Sequence, residues 1–79
     1  MKKQLLSKLT SGDKGRIIKI RGHAAVHRML FEQGIIVGRA ISIERADVAP
    51  KDRSIEVRLN GSTLSLAADL AANIQIELA

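Results

Sequence analysis

Two histidines, His23 and His27, stand four residues apart. On a helix they would share one face, a spacing that suits two-point ligation of a transition metal. Neutral imidazoles need further partners, three or four ligands in all. The nearest carboxylate after them, Glu32, lies five residues beyond His27, about 140° around a straight helix. No cysteine is present to supply a thiolate. The pair is therefore read as exposed polar residues at a helix start. A homodimer that brings two such pairs together is the form in which they would complete a metal site.

Other reactive groups do not converge. Ser7, Ser11, Ser42, Ser54, Ser62 and Ser65 fall in turns or on the wet side of alternating segments, and no nucleophile elbow surrounds any of them. Gly12-Asp13-Lys14-Gly15 has the composition of a phosphate loop but lacks its spacing, and it opens a strand where such a loop opens a helix. Asp47 and Asp52 share one loop, yet paired catalytic carboxylates need a concave site. The chain is expected not to be an enzyme.

The elements that must carry these residues are small. The chain has 79 residues, a net charge of +5, one aromatic residue (Phe31) and 46% hydrophobic residues. That length predicts one domain over residues 1–79, with a thin core. The absence of cysteine excludes a disulfide scaffold and a zinc ribbon. Nine basic residues against two acidic ones give Met1–Arg39 a balance of +7, while Ala40–Ala79 carries −2. A basic half suits nucleic acid, an anionic membrane or an acidic protein. The lack of stacking rings argues against nucleic acid. Lys8, Asp13 and Lys14 interrupt the apolar start, so no signal peptide is read there, and no stretch is long enough to span a membrane. A soluble, cytoplasmic protein is expected.

Glycines at 12, 15, 22, 34, 38 and 61 (Gly12, Gly15, Gly22, Gly34, Gly38, Gly61) punctuate short segments. Leu5, Leu6 and Leu9 suit a helical turn; Arg16–Arg21 reads as a strand. His23–Gln33 is the best helix, with Val26, Met29 and Leu30 on one stripe and Gly34 as its C-terminal cap. Ile35–Gly38 connects to a strand over Ala40–Arg45. A loop follows at Asp47–Arg53, around Pro50. Ile55, Val57 and Leu59 alternate with polar residues, Asn60-Gly61 predicts a type I′ hairpin, and Leu64 and Leu66 lie on the return strand. Ala67–Asn73 reads as a helical turn and Ile74–Leu78 as a last strand. The fold class is all-β with short helices: a five-stranded SH3-like barrel with one helix capping an end. Phe31 falls about 100° from Leu30 around the helix. A thin core is expected to recruit its only ring; left exposed, Phe31 would join Ile35 and Ile36 in an apolar patch.

This string of elements resembles the FeoA domain family, ferrous iron transport protein A and its relatives, from about Leu6 to Leu78. The resemblance is carried by Leu6–Leu9 with Gly12 and Gly15, by Ile20 and Gly22, and by the run Leu30-Phe31-Glu32-Gln33-Gly34-Ile35 with Gly38. Gly61, Leu64-Ser65-Leu66, Ala71, Ile74 and Ile76 complete it. The chain departs from the family pattern at Gln33 (usually Leu), Val37 (usually Pro), Ala67 (usually Arg) and Leu70 (usually acidic).

The resemblance implies a non-catalytic accessory protein of bacterial ferrous iron uptake, acting on the cytoplasmic part of the ferrous iron permease. The contact residues expected from the helix end and connector are Met29, Phe31, Ile35, Ile36 and Val37, with Arg28 and Arg39 steering. By the same resemblance a ferrous or zinc ion would be the metal; His23 and His27, by their spacing, are its candidate ligands. A second reading is a free-standing metal-responsive domain, similar to the SH3-like domain of metal-dependent repressors. No nucleic acid and no membrane insertion are expected.

Overall fold

The computed structural model describes residues 2–46 and 54–79. The expected Asp47–Arg53 loop, with Asp47, Pro50 and Asp52, lies outside them. Six strands form one antiparallel sheet: β1 (Lys3–Leu5), β2 (Lys14–Ile20), β3 (Ala40–Ala46), β4 (Ser54–Leu59), β5 (Ser62–Ala67) and β6 (Ile74–Leu78). Helix α1 covers Ala24–Glu32 and α2 covers Ala68–Ala71; a 3₁₀ turn occupies Leu6–Lys8. The strand order is β1-β6-β2-β3-β4-β5. Five of these strands match the sequence reading. The sixth, β1, places Leu5 in a strand, so the expected helical turn begins only at Leu6. Three residues carry too short a pattern to announce a strand; β1 exists because Lys3, Gln4 and Leu5 find partners in Glu77, Ile76 and Gln75.

Alternation decides which face is buried. Ile55, Val57 and Leu59 of β4, Ile41 and Ile43 of β3, and Ile74 and Ile76 of β6 are all buried, while Arg58, between Val57 and Leu59, and Glu44, just after Ile43, are exposed. Two bulges interrupt the period. In β2 the register against β6 slips between Ile17 and Lys19, so Ile17 faces Ile76 and Ile20 faces Ile74. In β3 the slip lies between Ile43 and Arg45, leaving Ile43 opposite Val57 and Ala46 opposite Ile55. Each bulge brings two residues three apart onto the same face and bends its strand, which coils a small sheet around one core. Ile20 and Ala46 accordingly pack against that core. Leu6 and Leu9 from the 3₁₀ segment and Ala71 from α2 fill it from the side.

Gly15 sits where β2 pairs with β3 on one side and β6 on the other, opposite both Ile41 and Leu78. A Cβ there would collide with the Glu77 carbonyl oxygen and lie 2.8 Å from Ile76 Cγ2. This glycine is required for close approach rather than for an unusual φ. The β4–β5 turn does need positive φ: Asn60 is at 54° and Gly61 at 78°, the type I′ pairing expected.

Candidate protein-binding site

The site is built around the end of α1. Gln33 and Gly34 donate to the Leu30 and Phe31 carbonyls at 3.1 and 2.9 Å, and the Ile35 amide reaches back to the Leu30 carbonyl at 3.0 Å. With Gly34 at φ 87°, this is a complete Schellman motif. Such a motif packs its last two apolar positions together, and Leu30 and Ile35 are 0% and 1% exposed. The connector then runs to Gly38, whose amide donates to the Ile17 carbonyl at 2.7 Å; Ile17 in turn donates to Arg39 at 2.9 Å. Two arginines fasten it further. Arg39 Nη1 donates to the Gly34 carbonyl at 3.1 Å and Arg16 Nη1 to the Gly38 carbonyl at 3.0 Å.

This pinned connector and α1 enclose a shallow cavity of about 450 Å³, lined by Ile20, His27, Arg28, Phe31, Ile35, Ile36 and Val37. Phe31 and Val37 stand at its rim, 63% and 55% exposed. Residues 27, 28 and 31 meet there because helix positions three and four apart share a face. Of the residues expected at a partner contact, Arg28, Phe31, Ile35, Ile36 and Val37 converge on this cavity. Met29 and Arg39 do not line it. Met29 leaves the predicted buried stripe and is 43% exposed; Leu30 alone of α1 is fully buried, with Val26 packed beside it. Phe31 is not core filler, because the Leu30–Ile35 closure already fills the space beneath the helix end. For the same reason Ile35 forms the floor of the site and not part of an exposed patch. Ile20 belongs to the cavity through the β2 bulge, a feature with no signal in the sequence. His27 belongs to it through its i, i+4 relation to Phe31, a signal that was present.

The lining carries Arg28 and His27 and no acidic side chain. Among the described residues the one ion pair is Arg58–Glu44, 3.4 Å apart on the surface. Arg28 therefore presents its charge to solvent beside an apolar hollow, an arrangement suited to a protein surface that offers an apolar anchor and a carboxylate.

His23 occupies the N-cap of α1 in an extended conformation, with its carbonyl accepting from Val26 and His27. Both imidazoles are exposed, and among the described residues no group of three or more His, Cys, Asp or Glu side chains converges. The donor set of the described residues does not fit a resident transition metal. Asp13 is also accounted for: its Oδ2 accepts from the Thr10 amide at 2.9 Å and the Thr10 hydroxyl at 3.2 Å, which ties the turn before β2. Among the described residues no helix is long and apolar enough to cross a membrane.

A model of the FeoA domain matches residues 4–78. The chain belongs to the FeoA domain family. A FeoA-like protein of solved structure from Clostridium acetobutylicum is 33% identical, with 99% of this chain and 88% of that one aligned at a TM-score of 0.83. The FeoA protein of Chlorobium tepidum is 29% identical over 95% of this chain and 70% of its own, with a TM-score of 0.80. An Fe(2+) transport protein A/Fe(2+) transporter FeoB fusion protein of Porphyromonas gingivalis is 29% identical over 92% of this chain; the chain spans 8% of that protein. A manganese-dependent transcriptional repressor, 18% identical and aligned over 38% of its length, shares the fold at a TM-score of 0.90. The FeoA domain is thus linked to ferrous iron transport, and its SH3-like fold is shared with metal-dependent repressors. Of the departures from the family pattern, Gln33 is the C-cap of α1, Val37 stands at the cavity rim, Ala67 is the N-cap of α2 and Leu70 packs against the core.

Proposed function

We propose that the protein is a non-catalytic accessory module of ferrous iron uptake that docks on the cytoplasmic part of a ferrous iron permease. The observation that carries the proposal is the pair of exposed apolar side chains, Phe31 and Val37, held at the rim of one cavity by a rigid connector. An exposed ring on a thin-cored domain has no part in folding and suits an interface anchor. The similarity to an Fe(2+) transport protein A/Fe(2+) transporter FeoB fusion protein of Porphyromonas gingivalis supports a partner of this kind. In this reading Phe31 enters a pocket of the permease, Ile36 and Val37 exclude water around it, and Arg28 orients the approach.

The test is titration of the soluble portion of the permease with wild-type protein and with Phe31→Glu and Val37→Glu, each checked for its native spectrum. Wild type is expected to bind, and each variant to weaken binding at least about tenfold. A wild type that does not bind, or a folded Phe31→Glu that binds unchanged, overturns the proposal.

A further inference from the structure

The sheet is coiled but its ladder does not close. Among the described residues β1 and β5 are its two ends, with no strand pairing between them. The two edges differ in how they are defended. β1 is three residues long and begins at Lys3, next to Lys2, both exposed. Shortness and lysine are the usual guards of an edge strand. β5 is six residues long and has neither: no charge, proline or glycine occurs between Ser62 and Ala67. Its register against β4 runs without a bulge.

The turn fixes which groups face outward. The two-residue Asn60-Gly61 connection makes Leu59 and Ser62 the first hydrogen-bonded pair, followed by Val57–Leu64 and Ile55–Leu66. The backbone groups of Thr63 and Ser65 and the amide of Ala67 then point away from the sheet, while the Ala67 carbonyl, at the N-cap of α2, is taken up by the helix. Their side chains are exposed and small, while Leu64, on the core side, is only half-buried. The strand is also its own complement about Ser65. Laid antiparallel to a second β5 about that centre, Ser65 faces Ser65, Thr63 faces Ala67, and Leu64 faces Leu66. The Ser65 amides and carbonyls pair with each other and the Ala67 amide meets the Thr63 carbonyl, no like charges are opposed, and Leu64 gains the cover it lacks.

We infer that β5 is a self-pairing edge, which joins two copies of the chain into a two-fold dimer with a continuous sheet across the Ser65 pair. The interface is isologous and uses none of the residues that line the Phe31 cavity, so it stands independently of the permease reading.

Sedimentation equilibrium of the whole chain from micromolar to millimolar concentration tests this. Wild type is expected to dimerise reversibly. Ser65→Lys places two ammonium groups opposite each other and is expected to raise the dissociation constant at least about tenfold, while Ser65→Thr keeps the dimer. A short bismaleimide should link Ser65→Cys chains in pairs and leave Lys3→Cys chains single. A wild type that is monomeric throughout, or a dimer indifferent to folded Ser65→Lys, overturns the inference. So does a monomer whose permease binding is lost in Ser65→Lys, which would mean that the edge receives a strand of the partner.

Discussion

Arg39 donates from Nη1 to the carbonyl oxygen of Gly34 across 3.1 Å, closing residues 34–39 into a loop just after α1. The bond satisfies a carbonyl at the negative end of the helix and lays the arginine stem over the connector. Half-buried, Arg39 also stiffens the rim of the cavity through this bond. Arg39→Ala is expected to cost about 1 kcal/mol in urea unfolding, with Arg39→Lys recovering part of it. An unchanged midpoint would remove this role.

Leu30 and Phe31 are neighbours with opposite fates. Leu30→Ala opens a cavity beneath the Schellman closure and is expected to cost about 2–5 kcal/mol. Phe31→Ala removes a ring that is mostly in solvent and should stay within about 0.5 kcal/mol of wild type. Equal losses on thermal unfolding would place Phe31 in the core.

Gly15 is the least replaceable glycine on steric grounds. Gly15→Ala drives a methyl group into the Glu77 carbonyl and Ile76, and should cost about 1–3 kcal/mol or more by forcing β2 and β6 apart. Gly38→Ala meets no atom within 4 Å and bears only the strain of φ 98°, about 1 kcal/mol. The ratio of the two losses in denaturant separates crowding from backbone strain.

The surface pair Arg58–Glu44 is 3.4 Å apart with side chains 56% and 42% exposed. Solvent and salt screen such a pair, so Glu44→Gln is expected to change stability by no more than about 0.5 kcal/mol. A larger loss that vanishes in high salt would show a wider charge network.

His23 and His27 have no converging third ligand among the described residues. Equimolar zinc is therefore expected to leave the melting temperature of the monomer unchanged, since a ligand stabilises only when its concentration exceeds its dissociation constant. A rise abolished by His27→Ala would restore the metal reading.

Much of the fold was legible because its strands announce themselves. Ile55-Glu56-Val57-Arg58-Leu59 can bury one face only, and Asn60-Gly61 can turn in few ways. The end of α1 was legible for the same reason: Gly34 supplies the left-handed residue a Schellman motif needs. The two bulges were not. Ile17 and Ile20 share a face only because one residue of β2 is left unpaired, and nothing in Ile17-Ile18-Lys19-Ile20 says which. The exposure of Phe31 was hidden as well, since it follows from Ile35 folding back under Leu30. Periodicity within the helix cannot see a residue beyond its end.

The place of β6 in the strand order carries a consequence for synthesis. The strand nearest the C-terminus is inserted between β1 and β2, the two nearest the N-terminus. It brings Ile74 and Ile76, both fully buried, to the middle of the core. On the ribosome, β1 and β2 emerge first, yet only β3 can pair with β2, and nothing joins β1 to β2, until β6 is free of the exit tunnel. The early hairpins of β3, β4 and β5 must wait with an uncovered face, and folding is confined to the moments after β6 is released. Without β6 the chain would lose the strand that joins β1 to β2, and with it Ile74 and Ile76 of the core.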